Sequence, residues 1–311
     1  MKIVLVAPKS TTGHKYSDTE FRFDYAYWNF YLPLLSLGHQ VLFFDTSIWG
    51  DQQLSLVVER EKPDMLFCIM TGDPGACPQE PWETIKTETE SGRTFTFNWF
   101  CDDAWRFDNF SKDVCKYFNA VVTTDNPDDV LKYKKIGYYN CIFAHWHANG
   151  DVYSGVHSAK ASLISFVGNS HGDRKTTFDT LESAGVKVDH HTGVSFEDMI
   201  WNYSRALMGL SLSKNSNDEG GKLILKARPF EITAVGSLLV AQNAVGLSDC
   251  FELNKEAISF ETTEELIEKC KFLSTKPKII HNIATAGHRR FLKDHDSRVR
   301  LATVLKKIRS V

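Results

Sequence analysis

A group of charged residues stands out in the stretch KARPFEITAVGSLLVA, residues 226–241. Lys226 and Arg228 come just before a short apolar run that predicts a helix, and a second apolar run predicts a strand. Pro229 favours the first helical turn, where its missing N–H has no intrahelical partner to lose. Gly236 favours the position just past the end. We therefore predict a helix of about two turns with two cations at its start.

The chemistry that these residues could do is recognition of a nucleoside diphosphate. A helix start carries unpaired N–H groups and a partial positive charge, and Lys226 and Arg228 add to it, so a diphosphate is favoured there. Glu231 is badly placed for phosphate, but it can accept hydrogen bonds from both hydroxyls of a ribose. A solvated helix start with a local ion pair is the alternative interpretation.

A second group of polar residues follows the apolar strand pattern SLISFV, in the sequence GNSHGDR. Gly168, directly after the strand, would let the backbone approach a ligand closely. Asn169, Ser170 and Arg174 offer donors to phosphate oxygens or to a transferred group. Alone, the Gly-Asn-Ser pattern is typical of a simple turn. Together with the first group, it indicates a ligand site.

Two further groups contain candidate bases. Asp102 and Asp103 follow the fourth predicted strand, and neighbouring carboxylates that are poorly solvated raise each other's pKa, which can produce a base near neutral pH. A surface turn, a helix cap or a metal site are the alternatives, although no third metal ligand is evident in the sequence. The loop after the first strand holds His14 and Glu20, of which His14 has the better-suited pKa. A solvated loop histidine is the alternative there.

The composition restricts the class of protein. A chain of 311 residues is long enough for two domains with cores of their own. The net charge of -3, with charges well mixed, argues against nucleic acid as the main partner. The start, MKIVLVAPKS, lacks the long apolar region of a signal peptide, and no apolar run suits a membrane span. Widely spaced cysteines without a C-x-x-C motif suit a reducing compartment. We therefore expect a soluble, cytoplasmic protein.

Strand and helix patterns alternate along the chain, which predicts an α/β fold with parallel sheets. The alternation starts again after a polar linker, in SLISFVGNSHGDRKTTFDTLESAGVKVDHH. We therefore expect two Rossmann-like, doubly wound domains, residues 1–150 and 151–311. No G-x-G-x-x-G motif follows the first strand, so an NAD-dependent oxidoreductase is disfavoured.

Four motifs occur in a recognisable order. They are the R-x-F-E pattern that begins at Arg228, the glycine and leucines after it, the piece FELNKEAISFETTEELIEKC, and a tail with His288, His295 and Arg298. This order resembles CgeB-like glycosyltransferases, which belong to the GT-B superfamily and are similar to glycosyl transferases of group 1. The resemblance is best from about Leu163 to Leu305. It implies a GT-B fold: two Rossmann-like domains face each other across a cleft, and the C-terminal helix packs back on the first domain.

The resemblance also implies which residues hold the donor. The second domain would bind a nucleotide sugar, with Glu231 on the ribose and with Lys226 and Arg228 near the diphosphate. The loop that contains Gly168, Asn169, Ser170 and Arg174 would face the same donor. Many retaining relatives have a second glutamate eight positions before the first, where this chain has Leu223. Whether the anomeric centre is inverted or retained therefore stays open.

The first domain would hold the acceptor and supply the base that deprotonates it. The candidates for this base are His14, Asp102, Asp103 and Glu20. GT-B enzymes typically need no metal for catalysis, so we expect neither a metal nor a cofactor. The tail residues His288, His295 and Arg298 are expected to serve helix packing and domain closure.

The function that the resemblance implies is hexosyl transfer from a nucleoside-diphosphate sugar, with UDP as the expected nucleotide. The acceptor would be a hydroxyl of a glycan, a protein or a small molecule, which the sequence does not specify. Two alternatives stay open. A sugar-nucleotide epimerase of the same fold would share the donor residues and need no acceptor. A non-catalytic binding protein would hold the nucleotide sugar without cleaving it.

Overall fold

The chain forms two compact units. The computed structural model of the protein describes residues 1–9, 23, 25–73, 79–154, 158–214 and 223–309. Unit 1 comprises Met1–His145 and Arg300–Val311, and unit 2 comprises Trp146–Val299. Among the described residues, no helix is long and apolar enough to cross a membrane.

Unit 1 contains a six-stranded sheet in which every pair of neighbours is parallel. Its strands are β1 (Lys2–Ala7), β2 (Gln40–Asp45), β3 (Met65–Cys68), β4 (Phe95–Trp99), β5 (Ala120–Thr123) and β6 (Cys141–Phe143). Their order across the sheet is β2-β1-β3-β4-β5-β6. All carboxyl ends therefore meet at one edge, where ligands bind in doubly wound folds.

The sheet of unit 1 is buried on both faces. Ile3 and Leu5 of β1 enter one apolar core, and Val4 and Val6 enter another, as in a parallel strand covered on both sides. The helices of this unit are α1 (Leu32–Ser36), α2 (Asp51–Glu61), α3 (Trp82–Ser91), α4 (Asp103–Arg106), α5 (Lys112–Val114) and α6 (Asp129–Lys135). Short π-helical turns at Tyr27–Tyr31 and Phe107–Ser111 and a 3-10 turn at Cys115–Tyr117 join some of them.

Unit 2 contains a five-stranded parallel sheet. Its strands are β7 (Ser162–Val167), β8 (Val188–His191), β9 (Ala206–Ser211), β10 (Leu238–Gln242) and β11 (Ile258–Phe260). They lie in the order β11-β10-β9-β7-β8, so their carboxyl ends also meet at one edge. The two parallel sheets confirm the predicted α/β fold with a second start of the βα pattern.

Helices of unit 2 alternate with these strands along the chain. They are α7 (Gly150–Tyr153), α8 (Arg174–Ser183), α9 (Phe196–Arg205), α10 (Arg228–Ala234), α11 (Leu247–Cys250), α12 (Thr263–Ser274) and α13 (Pro277–Arg290). A π-helical turn, Phe291–His295, then leads to the last helix, α14 (Ser297–Ile308). α14 begins in unit 2 and ends in unit 1.

The last helix contributes to the core of unit 1. Its residues Leu301, Val304, Leu305 and Ile308 are buried in the same cluster as Ile3 of β1. Removal of this much apolar surface from water holds α14 against the unit 1 sheet. The predicted return of the C-terminal helix to the first domain is therefore confirmed.

Candidate functional site

α10 has the local structure that the sequence predicts. The helix holds seven residues and begins at Arg228, with Pro229 in its first turn. Gly236, with a φ of 78°, follows its end. Phe230 is fully buried, whereas Glu231 keeps part of its surface exposed. Burial of the apolar face therefore fixes the helix and orients its charged side chains.

The guanidinium of Arg228 is held at the carboxyl edge of the unit 2 sheet. Its Cζ lies 4.6 Å from the ring centroid of Phe166. Its Nε donates to the carbonyl of Val167 at 3.1 Å, and its Nη1 donates to the carbonyl of Leu212 at 3.4 Å. These acceptors stand at the end of β7 and just after β9. Burial raises the pKa of the Glu231 carboxyl, and the positive charge of Arg228 lowers it.

A second guanidinium, that of Arg174, lies against the same ring. Its Cζ is 5.6 Å from the ring centroid of Phe166. Its Nη1 donates to the carbonyl of Asn169 at 2.8 Å, and its Nη2 donates to that of Lys214 at 3.3 Å. Burial, followed by the positive charge of Arg228, lowers the pKa of Arg174 to about 10. Two cations that repel each other are therefore held together, which favours an anion beside them.

Gly168 makes room for Arg228. Its φ is 143°, in a region that residues with a side chain rarely adopt. A Cβ atom at this position would stand 2.7 Å from Nη2 of Arg228. Since both the backbone angle and the space exclude a side chain, a glycine is needed here. The sequence interpretation had the glycine approach a ligand, but its free space is taken by the arginine.

Three more residues were predicted around the donor. The side-chain oxygen of Asn169 accepts a hydrogen bond from Oγ1 of Thr192 at 2.6 Å, which orients the amide at the end of β8. Ser170 is exposed, and Lys226 is partly exposed two residues before α10. The structure thus brings Gly168, Arg174 and Arg228 together by direct contacts, and it gives Ser170 no such partner in the described residues.

Glu231 has a tyrosine partner that the sequence did not indicate. The hydroxyl of Tyr153 donates to Oε1 of Glu231 at 3.3 Å. Burial raises the pKa of Glu231, and the charge of Arg228 and the hydrogen bond from Tyr153 oppose this rise. Tyr153 lies in α7, far from α10 in sequence, so no local pattern could have found it.

Tyr203 of α9 is a second residue that the sequence analysis missed. Its hydroxyl accepts a hydrogen bond from the backbone N–H of Val167 at 3.2 Å, and only 1% of the residue is exposed. Burial raises the pKa of Tyr203 to about 12, with smaller and opposite effects from Arg228 and Glu231. An aromatic residue on the apolar face of a helix carries no sequence signal that separates this role from simple packing.

A pocket of about 570 Å³ opens beside Arg174 at the carboxyl edge of the unit 2 sheet, whereas Arg228 and Glu231 are not part of its lining. Its lining includes Arg174 and Thr177 of α8, Lys214 after β9, Gln242 of β10 and Glu261 after β11. This size suits a small organic ligand. A larger pocket, of about 710 Å³, lies between α2 and α3 of unit 1 and contains none of the predicted site residues.

Asp103 is a buried structural carboxylate. It has no exposed surface, and its two oxygens accept hydrogen bonds from Ser111 at 2.5 Å and from Tyr133 at 2.6 Å. Its pKa is raised to about 6, as expected, but the main cause is burial and not the neighbouring Asp102. A carboxylate enclosed in this way cannot meet an acceptor hydroxyl, so Asp103 does not fit the role of the base. Asp102 is partly exposed and stays a candidate.

His14 and Glu20, the other candidate bases, lie outside the described residues. The described residues contain no group of three or more His, Cys, Asp or Glu side chains that could hold a metal ion. The independence from metal stays a prediction.

The tail residues pack against the second unit. Nδ1 of His288 lies 2.8 Å from the carbonyl of Thr233 in α10, and the ring of His295 lies 5.1 Å from that of Phe230. Arg298 forms an ion pair within the same unit. The two histidines therefore pack against α10 through Thr233 and Phe230, in agreement with the expected role in helix packing.

The sequence of the second unit matches a known family. Residues 156–306 match the family model described as glycosyl transferase-like. This range includes every residue predicted to hold the donor. No curated protein matches the sequence.

The fold is similar to that of solved glycosyltransferases over the whole chain. Sucrose-phosphate synthase from Thermosynechococcus elongatus is 8% identical, with a TM-score of 0.64 over 100% of this chain and 99% of that chain. AviGT4, a glycosyltransferase involved in avilamycin A biosynthesis, is 12% identical, with a TM-score of 0.64 over 99% and 97%. HepE from Anabaena, in complex with UDP-glucose, is 11% identical, with a TM-score of 0.59 over 100% of both chains.

These identities are low, so the likeness to solved structures establishes the fold alone. The narrower resemblance to CgeB-like members stays a prediction. Residues 156–306 are thus similar to a glycosyl transferase-like family, and the chain as a whole has the GT-B fold of the glycosyltransferases it resembles.

Proposed function

We propose that this chain transfers a hexosyl group from a nucleoside-diphosphate sugar, with UDP as the nucleotide, to a hydroxyl of an acceptor. The observation that carries the proposal is the pair Arg174 and Arg228, held against the ring of Phe166 at the carboxyl edge of a parallel sheet. HepE, which shares the fold, has been solved with UDP-glucose, and this supports UDP as the nucleotide.

The diphosphate of the donor would lie beside the two guanidinium groups. Each already donates to backbone carbonyls, so its plane is set before a ligand arrives. A fixed guanidinium can bind phosphate oxygens through two parallel N–H groups, which gives direction as well as charge. Lys226 adds a third cation close to the start of α10.

Glu231 would bind the ribose of the same nucleotide. It stands three residues after Arg228 on α10, so one short helix carries a phosphate-binding and a ribose-binding side chain. An ionised carboxylate offers acceptors to both ribose hydroxyls. The hydrogen bond from Tyr153 occupies one oxygen only in part, because each oxygen has two lone pairs.

The reaction needs charge stabilisation and a base. The acceptor oxygen forms a bond to C1 of the sugar, the bond from C1 to the diphosphate oxygen breaks, and UDP leaves with the electron pair. Arg174 and Arg228 stabilise the negative charge that develops on the diphosphate. The proton of the acceptor hydroxyl passes to a base, for which His14, Glu20 and Asp102 are the candidates.

The proposal is tested by the thermal stability of the protein against a panel of nucleoside diphosphates and their sugars. A ligand at about 100 times its Kd adds roughly 2.7 kcal/mol to the free energy of unfolding. We expect UDP and at least one UDP-sugar to raise the Tm, and we expect Glu231→Ala to remove most of this shift. The matched control is Glu182→Ala, which changes an exposed glutamate of α8.

The panel also separates the proposed transferase from the other classes. A transferase is expected to release UDP from the stabilising UDP-sugar, slowly with water and faster with an acceptor. Conversion of the UDP-sugar into an isomer without any acceptor would indicate an epimerase. A Tm that no nucleotide changes, in a well-folded protein, would contradict the proposal.

A further inference from the structure

Two buried tyrosines stand behind the charged residues of the proposed donor site. Tyr203 of α9 and Tyr153 of α7 each expose only 1% of their surface. Such side chains have little surface with which to bind a nucleotide. Each hydroxyl nevertheless forms a hydrogen bond with the proposed donor site: that of Tyr153 with Glu231, and that of Tyr203 with Val167, which in turn binds Arg228.

Tyr203 acts on the backbone of Val167. The N–H of Val167 donates to the Tyr203 hydroxyl at 3.2 Å, and the carbonyl of the same residue accepts from Nε of Arg228 at 3.1 Å. Tyr203 is itself fixed, because Oγ of Ser237 donates to its backbone carbonyl at 2.6 Å. Val167 thus connects the Tyr203 hydroxyl to the Arg228 guanidinium through its N–H and its carbonyl. A shift of Val167 would therefore also move the guanidinium.

Tyr153 acts on the carboxylate of Glu231 directly. Its hydroxyl donates to Oε1 at 3.3 Å, and its ring packs against that of Phe196 with the centroids 5.1 Å apart. The packing fixes the phenol, and the hydrogen bond then limits rotation of the carboxylate. A carboxylate held in one orientation loses less freedom when it binds a pair of hydroxyls.

We propose that Tyr203 and Tyr153 are positioning residues of the donor site. Tyr203 sets Arg228 for the diphosphate, and Tyr153 sets Glu231 for the ribose. The inference rests on the proposed function, and it assigns separate supports to the two halves of the nucleotide. Loss of one hydroxyl should therefore weaken recognition of one half only.

The test is a calorimetric titration of UDP, uridine and 2′-deoxy-UDP into the full chain and its Tyr203→Phe and Tyr153→Phe variants. Tyr203→Phe should weaken UDP about tenfold and leave uridine unchanged, because uridine has no diphosphate. Tyr153→Phe should weaken UDP and uridine by the same factor. It should affect 2′-deoxy-UDP much less, because that ligand lacks one hydroxyl that Glu231 would bind.

Tyr133→Phe is the matched control. It removes a fully buried hydroxyl that donates to Asp103 in unit 1, so it disturbs the interior without touching the donor site. We expect its Kd values for all three ligands to equal those of the wild type. If Tyr203→Phe weakens UDP and uridine in equal proportion, its effect is general damage and the positioning role is overturned.

The remaining outcomes also separate the two claims. If the wild type binds no UDP, the proposed function fails. If it binds UDP and both tyrosine variants bind like the wild type, only the positioning roles fail.

Should Tyr203→Phe not fold, Arg228→Lys provides the second test. It keeps the charge but loses the oriented guanidinium, so it should lose affinity for UDP and keep that for uridine. Unchanged binding of UDP by Arg228→Lys would overturn the role of Tyr203.

Discussion

The guanidinium groups of Arg174 and Arg228 share one aromatic ring, that of Phe166, with their Cζ atoms 5.6 Å and 4.6 Å from its centroid. Arg174 donates to the backbone carbonyls of Asn169 and Lys214. Arg228 donates to the backbone carbonyls of Val167 and Leu212. Carbonyls orient a guanidinium without cancelling its charge, and the carboxylate of Glu231 also interacts with the charge of Arg228. The protein thus holds two like charges in place at the carboxyl edge of the sheet, and an anion would relieve their repulsion.

Inorganic pyrophosphate should stabilise the protein without any nucleoside. We expect it to raise the Tm of the wild type in a differential scanning experiment, because it neutralises Arg174 and Arg228 together. Arg174→Ala should lose most of this shift, whereas Lys175→Ala, which removes the exposed cation next in sequence, should keep it. The shift should also shrink at high salt, since it is electrostatic. An equal response of the two variants would contradict the site.

Gly168→Ala should damage the donor site as well as the stability of the fold. The added Cβ would stand 2.7 Å from Nη2 of Arg228 and displace that group. We expect the Kd for UDP to rise at least tenfold, with a loss of about 1–3 kcal/mol in the free energy of unfolding from the backbone angle. Gly185→Ala is the control, since its φ of 82° is also positive but no atom lies within 4 Å of the added Cβ. It should lose stability and keep its affinity for UDP.

Binding of UDP should depend on the ionisation of Glu231. Because burial raises the pKa of this carboxyl, it takes up a proton at a higher pH than an exposed glutamate does. As the pH falls towards the ordinary pKa of a glutamate, 4.5, the wild type should lose affinity as the carboxylate is protonated, and this loss should begin at a higher pH than for an exposed glutamate. Glu231→Gln should bind UDP weakly at every pH. Calorimetry gives the Kd of each protein at each pH. Protonation of UDP affects both Kd values equally, so it cancels when the Kd of Glu231→Gln is divided by that of the wild type.

The Kd of Glu231→Gln divided by the Kd of the wild type should fall as the pH falls, because only the wild type loses a carboxylate charge. A ratio that does not change with pH would show that the charge of Glu231 plays no part in binding.

Asp103 should make unit 1 less stable as the pH rises. Its pKa is about 6 in the folded protein and near 3.8 when unfolded, so the folded state binds the proton more tightly. The stabilisation is complete below the unfolded pKa and is lost as the pH rises through the folded one. Between about pH 4 and about pH 7, the wild type should lose roughly 2 kcal/mol relative to Asp103→Asn.

Urea unfolding of the wild type and of Asp103→Asn across this range measures the difference. Comparison with the variant removes the contribution of Glu231, whose pKa is also raised. Parallel pH profiles of the two proteins would contradict the assignment.

The sequence predicted the fold well because the signals were local and strong. Apolar strand runs, the proline and the glycine around α10, and the second start of the βα pattern each determine nearby backbone structure. The family resemblance added the return of the last helix, which unit 1 confirms through Leu301 and Val304. Gly168 was identified because a glycine lets the backbone approach a ligand closely, although the space beside it is occupied by Arg228.

The parts of the candidate site that the sequence did not predict depend on long-range contacts. Tyr153 and Glu231 are 78 residues apart, and Tyr203 and Val167 are 36 residues apart, so only the packed fold brings these pairs together. The burial of Asp103 was not predicted for a related reason. Its neighbour in sequence suggested a shared pKa effect, but the interior of unit 1 encloses it through Ser111 and Tyr133.

The measurement that tests the donor site most directly is a calorimetric titration of UDP into the wild type and into the double variant Arg174→Ala/Arg228→Ala. We predict one site per chain in the wild type, and a loss of at least a hundredfold in affinity in the double variant. Lys175→Ala should bind UDP like the wild type. Binding of UDP by the double variant with unchanged affinity, or no binding by the wild type, would contradict the account.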